Sequence, residues 1–148
     1  MYRRGNYETY AQIDVKDRVE ESEPVALIVL LFERIAALLR RTTLLPMANV
    51  EQLPLEEKLK VLEDFNLSIS SALQILVALR ELVDVENGGS LALQLRDTYT
   101  SISKALWQAS KDKDLRALAT LLTAVDELKE AWLSISHQQA HLGSEGQA

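Results

Sequence analysis

Glycine and proline punctuate this chain, and they are scarce. Five Gly and three Pro in 148 residues are too few for an all-β fold, which needs a turn about every ten residues. Between residues 24 and 136 they mark only two interior breaks, at Pro46–Pro54 and at Asn87-Gly88-Gly89. Leu and Ala, both strong helix formers, number 27 and 16. The chain is therefore expected to be built from a few long helices.

The apolar residues carry the same message. The first 21 residues are polar but hold Tyr2, Tyr7 and Tyr10, and Gly5-Asn6 interrupts any early helix. They read as a mobile N-terminal arm, residues 1–21, with apolar beads at Tyr7, Tyr10, Ile13 and Val15. A bundle domain at 22–136 and a frayed polar tail at 137–148 follow. The first helix is expected from Pro24 to Leu45. Proline is tolerated in the first helical turn, and Pro46 stops the helix. Residues 25–32 are apolar on nearly every side, the pattern of a helix central in its bundle. Residues 47–53 read as a loop.

The second helix is expected from Leu55 to Val83, with Leu55, Leu59, Leu62, Ile69, Leu73 and Leu76 at 3–4 spacing. Phe65, Ala72, Ile75, Leu79 and Leu82 form a stripe beside it. Asn66 interrupts the first stripe, as a register-fixing residue or where the helix face turns. Asn87-Gly88-Gly89 is the strongest turn signal, and Ser90 is a candidate N-cap. The third helix lines Leu91, Leu95, Tyr99, Ile102, Leu106 and Ala109 on one face. Asp112-Lys113-Asp114 is a polar turn before a fourth helix with Leu115, Leu118, Leu122, Val125, Leu128, Trp132 and Ile135 on one face. Long amphipathic helices with mostly short connections predict an all-α, antiparallel up-down four-helix bundle.

Composition excludes several chemistries. With no Cys there is no disulfide, no thiolate zinc site and no cysteine nucleophile. Gly88-Gly89 lacks the third Gly and the Lys of a phosphate-binding loop. His137 and His141 share a helical face, but Ser134 and Gln138 precede them by three, so the Glu-x-x-His pattern of a di-iron bundle is missing. No metal, no cofactor and no catalytic set is expected. Glu56, Glu57, Glu63, Asp64, Asp126, Glu127 and Glu130 read as solvated helix faces. A net charge of −6 without a Lys/Arg cluster argues against nucleic acid. The longest uncharged apolar run, Pro24 to Phe32, is nine residues against the 18 or so of a membrane span. Residues 1–6 have no apolar stretch behind their positive charges, unlike a secretory signal. A cytoplasmic protein is expected.

Some features exceed what folding needs. Three of the four tyrosines lie in the arm, where amphipathic rings suit a surface that is alternately covered and wet. Val61, Leu67, Val77, Leu93, Trp107, Leu121 and Leu133 fall off the main stripes and suggest an apolar groove outside the core.

Met1-Tyr2 and Tyr10-Ala11-Gln12 open the chain. Pro24, Leu27-Ile28 and Leu31-Phe32-Glu33 follow, then Val83-Asp84-Val85-Glu86-Asn87-Gly88-Gly89, Leu91-Ala92, Leu95, Tyr99, Leu106, Ala109, Asp114 and Ala131-Trp132. In order and spacing this series resembles the flagellin-export chaperones of the FliS family. The 83–89 segment is similar to that family's Leu-Asp-x-Glu-x-Gly-Gly loop. Glu23, Arg34, Ser101 and Ser110 depart from its usual Ser, Gly, aromatic and Asn.

The resemblance implies a cytoplasmic chaperone without enzymatic activity. It would hold the disordered C-terminal segment of flagellin, prevent premature polymerisation and present the cargo to the flagellar type III export gate. Candidate partner-binding residues are Tyr7, Tyr10 and Ile13 in the arm and Tyr99, Ile102 and Leu106 near the groove. The arm would cover the groove until cargo arrives. Rival readings are an export chaperone for another axial or capping protein and a regulatory bundle that binds an anti-sigma factor. An open apolar groove also predicts weak self-association.

Overall fold

The computed structural model describes residues 24–146. Tyr7, Tyr10, Ile13 and the rest of the arm lie outside the described residues. Four helices make up the bundle: α1 Pro24–Leu44, α2 Leu55–Leu82, α3 Val85–Asp112 and α4 Leu115–Gly146. A 3-10 helix, Met47–Gln52, bridges α1 and α2. No strand occurs among the described residues.

Cross-helix partners fix the topology. Arg41 near the end of α1 pairs with Asp64 near the start of α2, while Ile28 near the start of α1 lies beside Leu79 and Leu82 near the end of α2. Arg40 reaches Asp126 of α4, and Ile28 shares a cavity with Trp132, so α4 also runs against α1. Lys113, just past α3, lies over Phe65 of α2, and Leu95 of α3 lies near Leu79. The order is up-down-up-down, as the short connections predict. The helix α1 packs on α2 and α4, and α3 closes the ring against both.

Burial follows the apolar repeats. Phe32, Ile35, Leu39, Phe65, Ile75, Leu76, Tyr99, Leu106, Leu118 and Val125 are fully buried. On α1 the residues Leu27, Val29, Leu31, Phe32, Ile35, Ala36, Leu38 and Leu39 are all buried, as a helix central in its bundle requires. Buried Thr42 donates its hydroxyl to the Leu39 carbonyl at 2.6 Å, which satisfies a polar group inside the core. Among the described residues α2 alone is long and apolar enough to cross a membrane; here its apolar face is the bundle core.

The structure departs from the sequence expectation in several places. Residues 47–52 are not a loop but a 3-10 helix. Its tight turn places Met47 and Val50, three apart, on one side, and both are buried. The helix α3 begins at Val85 rather than at Ser90. Its first turn is closed by the Gly88 N–H donating to the Asp84 carbonyl at 2.8 Å, and the break falls at Gly89 with φ 60° and ψ −140°. That kink rotates the buried face by one residue: Ala92 is buried, whereas Leu91 is 65% exposed. Asn66 lies at the surface, so α2's apolar face turns there. Leu55 and Leu59, expected on the core stripe, are exposed. The helix α4 runs through His137 to Gly146, where fraying was expected.

Candidate binding groove

One end of the bundle is hollow. Ile28 of α1, Leu79 and Leu82 of α2, Leu91, Ala92, Leu95 and Tyr99 of α3, and Trp132 of α4 surround a cavity of about 360 Å³ open to solvent. Val83 and Asp84 of the α2–α3 connection and Gly88 complete its rim. Each element contributes for a local reason. Ile28 comes from the all-apolar start of α1. Leu79 and Leu82 end α2's apolar stripe. Gly88 lets the first turn of α3 lie against Ala92, since a Cβ built there would meet the Ala92 Cβ at 2.5 Å.

The groove's chemistry is that of an apolar receptor. Asp84 brings the one carboxylate, and no cationic or nucleophilic side chain lines the cavity. Tyr99 is 1% exposed, and its ring stands 5.9 Å from that of Phe32 at a 53° tilt, a favourable aromatic geometry. The floor is thus closely packed. The rim is different: Leu91 is exposed and Trp132 half-buried. Such a site takes aliphatic and aromatic side chains of a partner and orients them by shape. Among the described residues no three His, Cys, Asp or Glu side chains converge on a point where a metal could sit.

Of the six candidate residues, Tyr99 lines this groove. Ile102 and Leu106 do not: they lie deeper along α3, 8% and 0% exposed, within the core. They support the groove floor, and a partner would touch them only in an opened bundle. Tyr7, Tyr10 and Ile13 fall outside the described residues. Sequence reasoning missed Ile28, Leu82, Leu95 and Ala92 as groove residues, because they sit on or beside core stripes. Trp132, read as core, both packs on the core and lines the groove.

A second hollow, of about 500 Å³, lies between Leu73 of α2 and Ser103, Lys104, Trp107 and Gln108 of α3. Trp107 is 55% exposed, with the Lys111 ammonium 5.3 Å from its ring centroid. Four of the seven off-stripe residues, Leu67, Val77, Leu93 and Trp107, are exposed. Val61, Leu121 and Leu133 are half-buried.

Asp84 is the groove's one lining charge, and Lys104 and Lys111 stand at the second hollow. At the opposite end from the groove, the Arg41 guanidinium grips Asp64 through two bonds of 2.7 and 2.8 Å. These hydrogen bonds and the cation's charge hold the Asp64 carboxyl below its ordinary range against some desolvation, and they raise Arg41 in turn.

Fold and groove together define an all-α four-helix bundle with an open apolar hollow at one end. Residues 6–139 match the family model described as "Flagellar protein FliS", and the chain belongs to that family. It is similar to the flagellar secretion chaperone FliSB of Pseudomonas aeruginosa, 30% identical over 137 residues, which cover 93% of this chain and 100% of that protein. The flagellar secretion chaperone FliS of Salmonella typhimurium is 29% identical over 92% of this chain and 93% of its own length. That of Vibrio cholerae is 22% identical over 94% of both.

Proposed function

We propose that this protein is a cytoplasmic export chaperone whose groove holds the disordered C-terminal segment of flagellin. Bound there, the segment is withheld from premature polymerisation until the flagellar type III export apparatus receives the cargo. The observation that carries this reading is the apolar groove between Ile28, Leu91 and Trp132, in a chain whose relatives are named flagellar secretion chaperones. An ordering segment must offset a few kcal/mol of lost entropy, so apolar side chains entering a preformed hollow are the appropriate contacts. Tyr7, Tyr10 and Ile13 of the arm act on the same surface, covering it in the free protein or clasping the cargo. Ile102 and Leu106 act beneath it, as the packing that keeps Tyr99 in place.

The test is a calorimetric titration of the full chain with the C-terminal segment of the host's flagellin. One-to-one binding with a negative heat-capacity change is expected. Leu91→Glu, an exposed rim substitution that leaves the core untouched, should weaken binding at least tenfold. No heat for the intact chain and for one lacking residues 1–15 would overturn the reading.

A further inference from the structure

One flank of α3 gathers positive charge in an acidic chain. At 100° per residue, Leu93, Arg96, Thr100, Lys104, Trp107 and Lys111 fall within an arc of about 80°. The stripe holds cations and no acid, in a chain with 22 acidic against 16 basic residues. Asp97 stands at its outer border. Asp112 lies beyond it and accepts a hydrogen bond from Gln108 at 2.8 Å. Leu93 and Trp107 are exposed, so apolar side chains stand in solvent between the charges. Arg40, Arg41, Lys58 and Lys129 are held in ion pairs. By contrast, Lys104 lines the second hollow and the Lys111 ammonium stands over the Trp107 ring.

This stripe is one wall of a furrow. Leu73 of α2 faces Ser103, Lys104 and Trp107 across the second hollow. Because α2 and α3 are antiparallel, exposed Val77, one turn on from Leu73, lies level with Thr100, and Arg80 lies level with Arg96. Glu63 and Glu81 fall about 80° round α2 from Leu73, on its outer face. The furrow runs about 27 Å from Leu93 to Lys111, or about five helical turns. Two helical walls accept a third helix, whose apolar side chains at 3–4 spacing fit between Leu73, Val77 and Trp107. The cations beside those residues call for acids on either side of that apolar row. Phosphate binding would use the cations and leave Leu73, Val77 and Leu93 without partners.

We infer that the α2/α3 furrow docks an acidic amphipathic helix of a partner protein other than the cargo, anchored on Leu73 and Trp107 and oriented by Arg96, Lys104 and Lys111. A helix seated along it buries about 1,000 Å² counting both surfaces, the size of a transient complex. Charge complementarity then supplies on-rate and selectivity more than affinity. The furrow shares no residue with the groove that Tyr99 and Trp132 line. The partner therefore docks with or without cargo, and the inference does not rest on the cargo reading.

The probe is a synthetic helix of about 18 residues, long enough for five turns, with Leu in a 3–4 repeat and Glu elsewhere. Added to the full chain, it should shift the indole N–H resonance of Trp107 and leave that of Trp132 in place. Its affinity should fall about tenfold as ionic strength rises from ~0.05 to ~0.5 M. The same peptide with Lys for every Glu should bind at least tenfold more weakly. Lys104→Glu together with Lys111→Glu, both exposed, should weaken the Glu peptide at least tenfold, with helicity unchanged and flagellin-segment affinity within twofold. Equal binding of the Glu and Lys peptides overturns the inference, because the apolar row alone would then be read. So does no Trp107 shift at ~1 mM peptide, the weak end of measurable affinity. Displacement of the Glu peptide by the flagellin segment overturns it as well, because the furrow would then be a cargo surface. Tighter binding of a single-stranded oligonucleotide at Trp107 overturns it in favour of nucleic acid.

Discussion

Two connections of equal length join the helices at opposite ends of the bundle, and they leave opposite surfaces. Lys113 and Asp114 connect α3 to α4, and Val83 and Asp84 connect α2 to α3. At the first, Lys113 takes a left-handed φ of 53°, and the Asp114 N–H donates to the Ala109 carbonyl at 2.9 Å, closing the helix end as a Schellman turn. The Asp114 carboxylate then accepts the Ala117 N–H at 3.0 Å, capping α4. The Lys113 ammonium stands 5.2 Å from the ring centroid of fully buried Phe65. Side chains fill that end. At the second connection Gly89 supplies the bend, Gly88 packs against Ala92, and the hollow between Ile28, Leu91 and Trp132 stays open. The end closed by side chains is filled, whereas the end closed by the glycine bend keeps an apolar hollow open to solvent.

The largest break in this contrast is at the filled end. Phe65→Ala should cost about 3–5 kcal/mol, the range for an aromatic removed from a core. Urea unfolding reads it, and flagellin affinity in the remaining folded protein should stay within twofold. At the open end the pattern reverses. Gly88→Ala forces a Cβ onto Ala92 and should cost about 1–3 kcal/mol by overpacking, with a loss of peptide affinity in calorimetry larger than that of Phe65→Ala. Gly89→Ala, which puts a Cβ at φ 60° and ψ −140°, a region almost confined to glycine, should cost about 1–3 kcal/mol.

Asp114→Ala removes one cap and should cost about 1 kcal/mol, measured by thermal unfolding, with cargo binding unchanged. The smallest effect is at Arg41–Asp64, which is solvent-exposed and screened. Because Asp64 is depressed below its ordinary value of 3.8, the pair's contribution is present above that pH and fades as pH falls through the lower folded value. Asp64→Asn should remove that acid-side component of a stability–pH profile and little else.

The sequence makes the architecture legible and the surfaces only half so. Pro46, the 112–114 turn and the all-apolar start of α1 place the helices because local chemistry decides them. Met47 and Val50 could have been read as a 3-10 turn from their spacing of three. The exposure of Leu55 and Leu59 could not: their apolar repeat is the one that buries Ile69 and Leu76 further on. What differs is that α3 ends before reaching them, a fact about neighbour length. Tyr99 is placed at the groove because its stripe leads there. Ile102 and Leu106 share the stripe but lie one and two turns deeper, where α2 and α4 cover them. Trp132 was legible as part of an apolar stripe, and its second role needed the cavity that Ile28, Leu82 and Leu91 enclose with it.

The chain's two tryptophans stand one at each hollow, Trp132 in the groove and Trp107 at the hollow between α2 and α3. Fluorine NMR of 5-fluorotryptophan-labelled protein, assigned with Trp107→Phe and Trp132→Phe, therefore reads both at once. The C-terminal segment of flagellin should shift the Trp132 resonance and leave that of Trp107 in place. A shift of Trp107 with Trp132 unmoved would contradict the assignment of cargo to the open end of the bundle.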